Sequence, residues 1–310
     1  MTENGEDDVK AMRIHGYGDA GVFQADEVPM PQPGPGEVLI RLHASSINHF
    51  DVMLRDGRAA QFVPLEMPAI LGGDGAGVVE AVGDGVAGLK PGDRVIADFA
   101  SNGRGSYAEY GVAPITAVAH LPANLSFETG ATLPKAGLTS RGALDQLGIR
   151  AGDRVLVSGA LGSVGRAAVQ YLKEIGAIPV AGVRSERMEE GRAIAGEALD
   201  IGVAPTEATF DFAISTASPA SANAVANVKT GGKILAVARL PDEVNADNRV
   251  EIISGRHRTD PVVLQAVADA AGRGDLVLPV AATFPLTDLA EAHRRFAGGA
   301  RGKIVLRHRD

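Results

Sequence analysis

The pattern of apolar and polar positions changes at about residue 127 of the chain. Before this point, short apolar runs typical of β-strands alternate with glycine and proline. Pro31–Gly36 predicts a rigid turn before a strand over 37–42, and Pro91–Val95 predicts a turn that leads into another strand. Glycines that recur among valines and alanines between Gly72 and Gly83 indicate strongly bent strands. A small β-barrel is therefore expected in this part.

After residue 127 the pattern predicts helices that alternate with short buried strands. Strands are predicted at 155–158, 178–183, 211–214 and 233–237, helices at 260–271 and 287–297, and a closing strand at 303–306. Alternation of strand and helix is typical of a parallel sheet with helices on its faces. We therefore predict an α/β chain that contains a doubly wound parallel sheet.

The first strand of this second part runs directly into a glycine-rich turn and then into a helical pattern. The turn has the A-x-G-x-x-G spacing of a dinucleotide fingerprint, with strand before it and helix after it as that motif requires. Glycines let the backbone approach phosphates, and the amides at a helix N-terminus bind anions. The predicted cofactor-binding residues of this turn are Ala160, Gly162, Ser163, Val164 and Gly165.

The end of the next predicted strand indicates which dinucleotide binds. An NAD site usually carries Asp or Glu there to hold the ribose 2′-hydroxyl, whereas this chain has Arg184, Ser185 and, two residues further on, Arg187. A guanidinium suits a 2′-phosphate. The predicted cofactor is therefore NADPH.

Composition limits the remaining possibilities. The chain has 310 residues, which is enough for two domains, and its formal net charge of −8 argues against nucleic acid as the main partner. It contains no cysteine, which excludes disulfides, thiolate metal ligands and a cysteine nucleophile. No apolar segment is long enough to span a bilayer, and residues 1–9 are expected to be a frayed acidic tail rather than a signal peptide. The expected location is the cytoplasm.

Motifs along nearly the whole chain resemble the medium-chain dehydrogenase/reductase superfamily, and within it the zinc-free quinone oxidoreductase branch. The matching segments are 35–41, 48–51, 71–79, 89–95, 105–110, 136–139, the glycine turn, 231–234 and 300–306. The resemblance implies a GroES-like β-barrel domain over 1–126, an NADP-binding Rossmann domain over 127–267 and a C-terminal return to the first domain over 268–310. It also implies a homodimer.

The resemblance also assigns site residues. Zinc-dependent relatives carry a cysteine ligand where this chain has Asn48 and a histidine ligand where it has Gly73, so no metal site is expected. Asn48 is implied to face the nicotinamide as the catalytic residue. Three further cofactor contacts are implied at Thr139, Val237 and Ala238. Whether Lys135 or Arg239 contacts the substrate is left open.

These features favour an NADPH-dependent, zinc-independent oxidoreductase. Without a Lewis acid to polarise an alcohol or a simple carbonyl, the substrate is expected to be an already electrophilic acceptor, such as a quinone or another activated unsaturated carbonyl. One alternative is an enoyl or alkenal reductase of a polyketide-like pathway. Another is an NADPH-binding sensor or structural protein with low turnover.

Overall fold

The computed structural model describes residues 8–100, 102–216, 221–238, 240–255 and 257–308. The chain divides into two compact units. The first extends to Lys135 and includes Thr259–Arg273 and everything from Leu278 onward, whereas the second comprises Ala136–Arg258 and Gly274–Val277.

The first unit is built mainly of antiparallel strands. Its strands are β1 (Asp8–Ile14), β2 (Phe23–Pro29), β3 (Glu37–Ser46), β4 (Ala69–Ile70), β5 (Asp74–Val82), β6 (Arg94–Asp98), β7 (Tyr110–Pro114), β8 (Val118–His120), β15 (Val280–Pro285) and β16 (Lys303–Arg307). A three-stranded sheet has the order β2-β1-β4. A seven-stranded sheet has the order β15-β16-β3-β5-β6-β8, with β7 also paired to β3.

The recurring glycines let β3 and β5 approach each other closely. A Cβ atom on Gly77 of β5 would lie 2.1 Å from the backbone oxygen of Arg41 in β3. Directly after β5, a Cβ atom on Gly83 would lie 1.9 Å from the backbone oxygen of Gly34, which precedes β3. The register between the two strands also shifts twice, after Leu39 and after Leu42. Register shifts of this kind are typical of β-bulges, which bend the strand that carries them.

The second unit contains a six-stranded sheet, and every pairing within it is parallel. Its remaining strands are β9 (Arg154–Ser158), β10 (Ile178–Val183), β11 (Glu197–Asp200), β12 (Phe210–Ser215), β13 (Val228–Ala236) and β14 (Glu251–Ser254). The order β11-β10-β9-β12-β13-β14 runs outward in both directions from β9 and β12. This is the doubly wound Rossmann order, so the predicted fold class is confirmed.

The helices complete both units. They are α1 (His49–Arg55), α2 (Phe127–Gly130), α3 (Pro134–Leu147), α4 (Ser163–Glu174), α5 (Met188–Ala195), α6 (Ser221–Ala226), α7 (Pro261–Arg273) and α8 (Leu289–Ala297). None of the helices in the described part of the chain combines the length and apolar character that crossing a membrane requires.

The prediction of a frayed tail over 1–9 is wrong for Asp8 and Val9. Asp8 and Val9 belong to β1, where they pair with Pro29 and Val28 of β2, and Val9 is buried. The segment was not predicted as a strand because its composition is acidic. It is stabilised by pairing with β2, about twenty residues away in sequence. Residues 1–7 of the expected tail lie outside the described residues.

Candidate functional site

The glycine turn lies at the carboxyl end of β9, where the order of the parallel sheet reverses. Ligands of open α/β sheets bind at this position because the connections to the two neighbouring strands leave in opposite directions. Gly159 has a φ of 78°, a left-handed conformation that favours glycine. Its carbonyl oxygen accepts a hydrogen bond of 3.0 Å from the backbone N–H of Gly162 and thereby closes the turn.

The N-terminus of α4 opens directly from this turn. Gly162 is its N-cap residue, and no side chain caps the helix there in the structure as described. The first amides of the helix, which include those of Ser163 and Val164, therefore retain their capacity to bind an anion. Gly165 packs so closely that a Cβ would lie 2.3 Å from the oxygen of Gly159 and 2.8 Å from Cα of Ala160. The turn has the geometry of a pyrophosphate site.

The predicted 2′-phosphate residues follow β10, the strand beside β9. Arg184 and Ser185 are exposed at the end of that strand. Arg187 is partly buried and donates two hydrogen bonds to the carboxylate of Glu190, at 2.7 and 3.1 Å. This interaction raises the pKa of Arg187. Arg184 is therefore the more accessible guanidinium, and Arg187 would have to leave Glu190 to bind a phosphate with both nitrogens.

Arg166 is a further candidate for contact with the cofactor, and it was not identified from the sequence. It lies in the first turn of α4, directly after the glycine turn, and its Nε lies 3.3 Å from the carbonyl oxygen of Leu161. Burial and the neighbouring charge of Arg187 lower its pKa. Its position immediately after the fingerprint was the signal that could have identified it.

The remaining cofactor candidates also lie in the second unit. Val237 follows β13, and its backbone N–H donates to the carbonyl oxygen of Ser215 at 2.9 Å. Because all strands are parallel, Val237 and Ala238 lie at the same edge of the sheet as the glycine turn. Arg239 lies outside the described residues. Thr139 lies on α3, with its Oγ1 3.2 Å from Nδ1 of His257.

Asn48 lies in the first unit and belongs to a buried polar group that we call the Asp74 cluster. Oδ2 of Asp74 accepts hydrogen bonds from Nδ2 of Asn48 at 2.8 Å, from Oγ of Ser46 at 2.9 Å and from Nζ of Lys303 at 2.9 Å. Oδ1 of Asp74 accepts from the backbone N–H of Lys135 at 2.8 Å. Ser46, Asn48, Asp74 and Lys303 constitute the cluster.

Lys303 fixes the orientation of the Asn48 amide. Its ammonium donates to Oδ1 of Asn48 at 2.8 Å, while Nδ2 of Asn48 donates to Asp74. An ammonium requires an acceptor and a carboxylate requires a donor, so the amide cannot be reversed. One N–H of Asn48 remains for other partners, and its carbonyl oxygen is already engaged.

Asp51 continues this polar group into the core. Its Oδ2 accepts from the backbone N–H of Asn48 at 2.7 Å and from the hydroxyl of Tyr107 at 3.2 Å. Burial raises the pKa of Asp51 to about 6, and the charge of Asp74 adds to this shift. The hydrogen bond from Asn48 and the charges of Lys135 and Lys303 act in the opposite direction.

The raised pKa of Asp51 predicts a pH dependence of stability. The unfolded carboxyl loses its proton near pH 3.8, whereas the folded one retains it up to about pH 6. The free energy of unfolding should therefore fall as pH rises through this window, by on the order of 2–3 kcal/mol, and then level off. Asp51→Asn removes the titration. Denaturant unfolding of both proteins at several pH values should show the difference between them changing in this window, and parallel curves would contradict the assignment.

The residues at the two positions where zinc-dependent relatives carry ligands do not fit a zinc ion. Asn48 is held by Asp74 and Lys303, and Gly73 has no side chain. A Cβ on Gly73 would lie 2.4 Å from Cε of Lys135, so the lysine occupies the space into which a ligand would project. Across residues 8–308, apart from the short undescribed gaps, no group of three His, Cys, Asp or Glu side chains is arranged to hold a metal ion.

His43 stacks on the ring of Phe127, with ring centroids 4.4 Å apart, whereas His49 is exposed at the start of α1.

Comparisons with known proteins agree with this architecture. The alcohol dehydrogenase GroES-like domain family matches residues 34–123, and the zinc-binding dehydrogenase family matches residues 185–306. A chloroplastic quinone oxidoreductase of Triphysaria versicolor is 32% identical over 96% of this chain and 98% of its own length. A trans-enoyl reductase of Aspergillus terreus is 42% identical over 47% of this chain and 53% of its own.

Solved structures give the same result. An NAD-dependent alcohol dehydrogenase is 29% identical and superimposes with a TM-score of 0.85, covering 97% of this chain and all of its own. Fold, site and relatives together define an oxidoreductase that uses a nicotinamide cofactor and a small-molecule substrate. The chain belongs to the medium-chain dehydrogenase/reductase family, as its motifs predict.

Proposed function

We propose that this protein is an NADPH-dependent, zinc-independent reductase that delivers hydride to a quinone or another activated unsaturated carbonyl. The observation that carries this proposal is the Asp74 cluster together with Lys135. Two ammonium groups surround Asn48 and Gly73, the positions where the resemblance implies zinc ligands in zinc-dependent relatives. Bound NADPH would supply the hydride. The protein would supply positioning and hydrogen-bond donors for the oxygen on which negative charge develops.

The choice of acceptor follows from the chemistry of the residues at positions 48 and 73, an amide and a glycine, which do not suit a zinc ion. An alcohol or an isolated carbonyl needs strong polarisation, which zinc provides in metal-dependent enzymes. A quinone or an enone accepts hydride more readily, since the resulting charge is delocalised onto oxygen. The similarity to a quinone oxidoreductase supports this class. The similarity to a trans-enoyl reductase favours an enoyl or alkenal acceptor as the second candidate.

A panel of acceptors tests the proposal. In separate assays, the purified protein is mixed with NADPH and with benzoquinone, phenanthrenequinone, an alkenal or an enoyl thioester. A further assay contains NADP⁺ and a simple alcohol. We expect NADPH to be consumed with at least one quinone or enone, and we expect no reduction of NADP⁺ by the alcohol. Tight NADPH binding without turnover of any acceptor would sink both reductase candidates and leave the sensor or structural role.

The preference for NADPH is supported by Arg184, an exposed guanidinium at the end of β10 where an NAD site would carry a carboxylate. Replacing Arg184 by alanine should weaken NADPH binding by about 1–3 kcal/mol, which is roughly fivefold to 150-fold, and leave NADH binding nearly unchanged. Because the chain has no tryptophan, nicotinamide fluorescence reports binding without interference from indole emission.

The matched control is Arg150→Ala. Arg150 is also exposed, but it precedes β9 and so lies at the opposite edge of the sheet. It should leave both affinities unchanged. Equal weakening of NADPH and NADH by Arg184→Ala would refute the role of this arginine in choosing the cofactor.

We also propose a homodimer. The edge strand β14 has one neighbour only, β13, within the sheet as described, and its Ile252 is exposed. An exposed strand edge of this kind is a template for pairing with a second copy. Sedimentation velocity should detect a dimer, and a monomer at micromolar concentration would contradict this part of the proposal.

A further inference from the structure

Lys135 is held in a defined position beside the Asp74 cluster, entirely by residues of the first unit. Its Nζ lies 2.5 Å from Oδ1 of Asp98 and donates to the carbonyl oxygen of Phe99 at 3.1 Å. Asp98 is buried, and its other oxygen accepts a hydrogen bond from the hydroxyl of Thr259. The backbone N–H of Lys135 donates to Asp74. Both ends of this residue are therefore anchored.

The ammonium of Lys135 nevertheless retains the capacity to bind a further group. An ammonium has three N–H donors. In the described part of the chain, one donates to the carbonyl oxygen of Phe99, and the charge is paired with Asp98. The side chain is 17% exposed, whereas that of Lys303 is 3% exposed. Among the polar groups around Asp74, Lys135 thus combines a positive charge, a spare donor and access from outside.

Gly73 makes this position possible. Its missing Cβ would lie 2.4 Å from Cε and 3.4 Å from Nζ of Lys135, so any larger residue at position 73 would displace the lysine. That Cβ would also lie 3.6 Å from Oδ1 of Asp51. Glycine at position 73 and lysine at position 135 therefore form a matched pair.

Asn48 is less suited to be the principal donor. Its carbonyl oxygen is engaged by Lys303, and one of its two N–H donors is engaged by Asp74. The remaining N–H is neutral, and hydrogen bonds from charged donors are roughly twice as strong as neutral ones. A developing oxyanion would be stabilised more by Lys135 than by Asn48.

We propose that Lys135 is the catalytic residue that donates a charged hydrogen bond, and then a proton, to the carbonyl oxygen of the acceptor. This inference rests on the proposed function. The acceptor carbon gains a hydride, which carries two electrons, and the displaced π electrons move onto the carbonyl oxygen. The Nζ proton passes to that oxygen and gives an enol, and solvent returns a proton to the amine. For a quinone, this enol tautomerises through solvent to the hydroquinone. One NADPH and one proton are consumed for each acceptor reduced.

Lys135→Met tests this assignment. Loss of a donor to an oxyanion typically lowers kcat by about a hundredfold to a thousandfold. We expect a decrease of this size in kcat, while the dissociation constant of NADPH, measured by nicotinamide fluorescence, stays unchanged. The matched control is Lys90→Met, because Lys90 is an exposed lysine of the same unit, with a side chain 78% exposed, and its loss should leave kcat unchanged.

Two further variants keep the test decisive if Lys135→Met folds poorly because Asp98 loses its cation. Gly73→Ala retains the charges of Lys135 and Asp98 but displaces the Lys135 side chain. The atom that the new methyl group meets is the flexible end of that side chain and not backbone, so it can move. It should fold normally and lose kcat, and adding Lys135→Met should then cost little more. Ethylammonium should restore part of the activity of Lys135→Ala, which a purely structural role of the lysine would not permit.

The experiments distinguish a failure of the proposed function from a failure of the role assigned to Lys135. A wild-type protein that reduces no acceptor contradicts the proposed function itself. A wild-type protein that turns over while Lys135→Met and Gly73→Ala retain its kcat overturns the assignment of Lys135 and leaves the reductase intact.

Discussion

Replacing Lys303 by methionine is expected to lower the free energy of unfolding by about 3–5 kcal/mol, as removal of one partner from a buried ion pair does. The ammonium of Lys303 lies 2.9 Å from Oδ2 of Asp74, and the two side chains are 3% and 0% exposed. Methionine would leave the carboxylate in the core with its neutral donors only. The Asn48 amide would also lose the partner that fixes its orientation.

A second ion pair in this chain provides the control. Lys229 and Asp211 are also 2.9 Å apart, but their side chains are 47% and 65% exposed. Lys229→Met should cost no more than about 1 kcal/mol, because solvent screens exposed pairs. Denaturant unfolding of the two variants measures the difference. Equal small losses would mean that the Asp74 cluster does not depend on its cation.

Gly165→Ala is expected to damage both the second unit and its cofactor site. The new methyl group would meet backbone atoms of Gly159 and Ala160 at 2.3 and 2.8 Å, and backbone cannot swing aside. We expect a loss of about 1–3 kcal/mol in stability. Because the turn must open, NADPH binding should weaken by a similar free energy, which is roughly fivefold to 150-fold in the dissociation constant.

Gly162→Ala separates packing from binding. A Cβ there would meet only the oxygen of Gly159 at 3.4 Å, an ordinary contact, so stability should be retained. The methyl group would instead face the approaching pyrophosphate and weaken NADPH binding. Thermal unfolding and fluorescence titration of both variants distinguish the two roles. A stable Gly165→Ala protein that binds NADPH normally would contradict the predicted site.

The glycine turn was predictable because its signal is local. Strand β9, the turn and α4 follow one another within about twenty residues, and the strand, glycine and helix patterns reinforce each other. The four strands predicted in the second unit, which correspond to β9, β10, β12 and β13, were predictable for the same reason. The edge strands β11 and β14 were not predicted, because a short strand at the edge of a sheet has a weak pattern of its own.

The Asp74 cluster could not be predicted in the same way. Lys303 and Asp74 are separated by 229 residues in sequence, and Lys303 looks like the polar first residue of a closing strand. Only the pairing of β16 with β3, and of β3 with β5, brings them together. Asn48 was identified by resemblance, but its partners required the fold. The position of Lys135 beside Gly73 likewise depends on packing that no local motif encodes.

We propose that this chain transfers hydride from NADPH without a metal. The most direct test measures NADPH oxidation with an active quinone or enone and the zinc content of the same sample, before and after dialysis against a chelator. We expect zinc far below one equivalent per chain and the same kcat in both samples. Stoichiometric zinc, or activity that disappears with the chelator and returns when zinc is added, would contradict it.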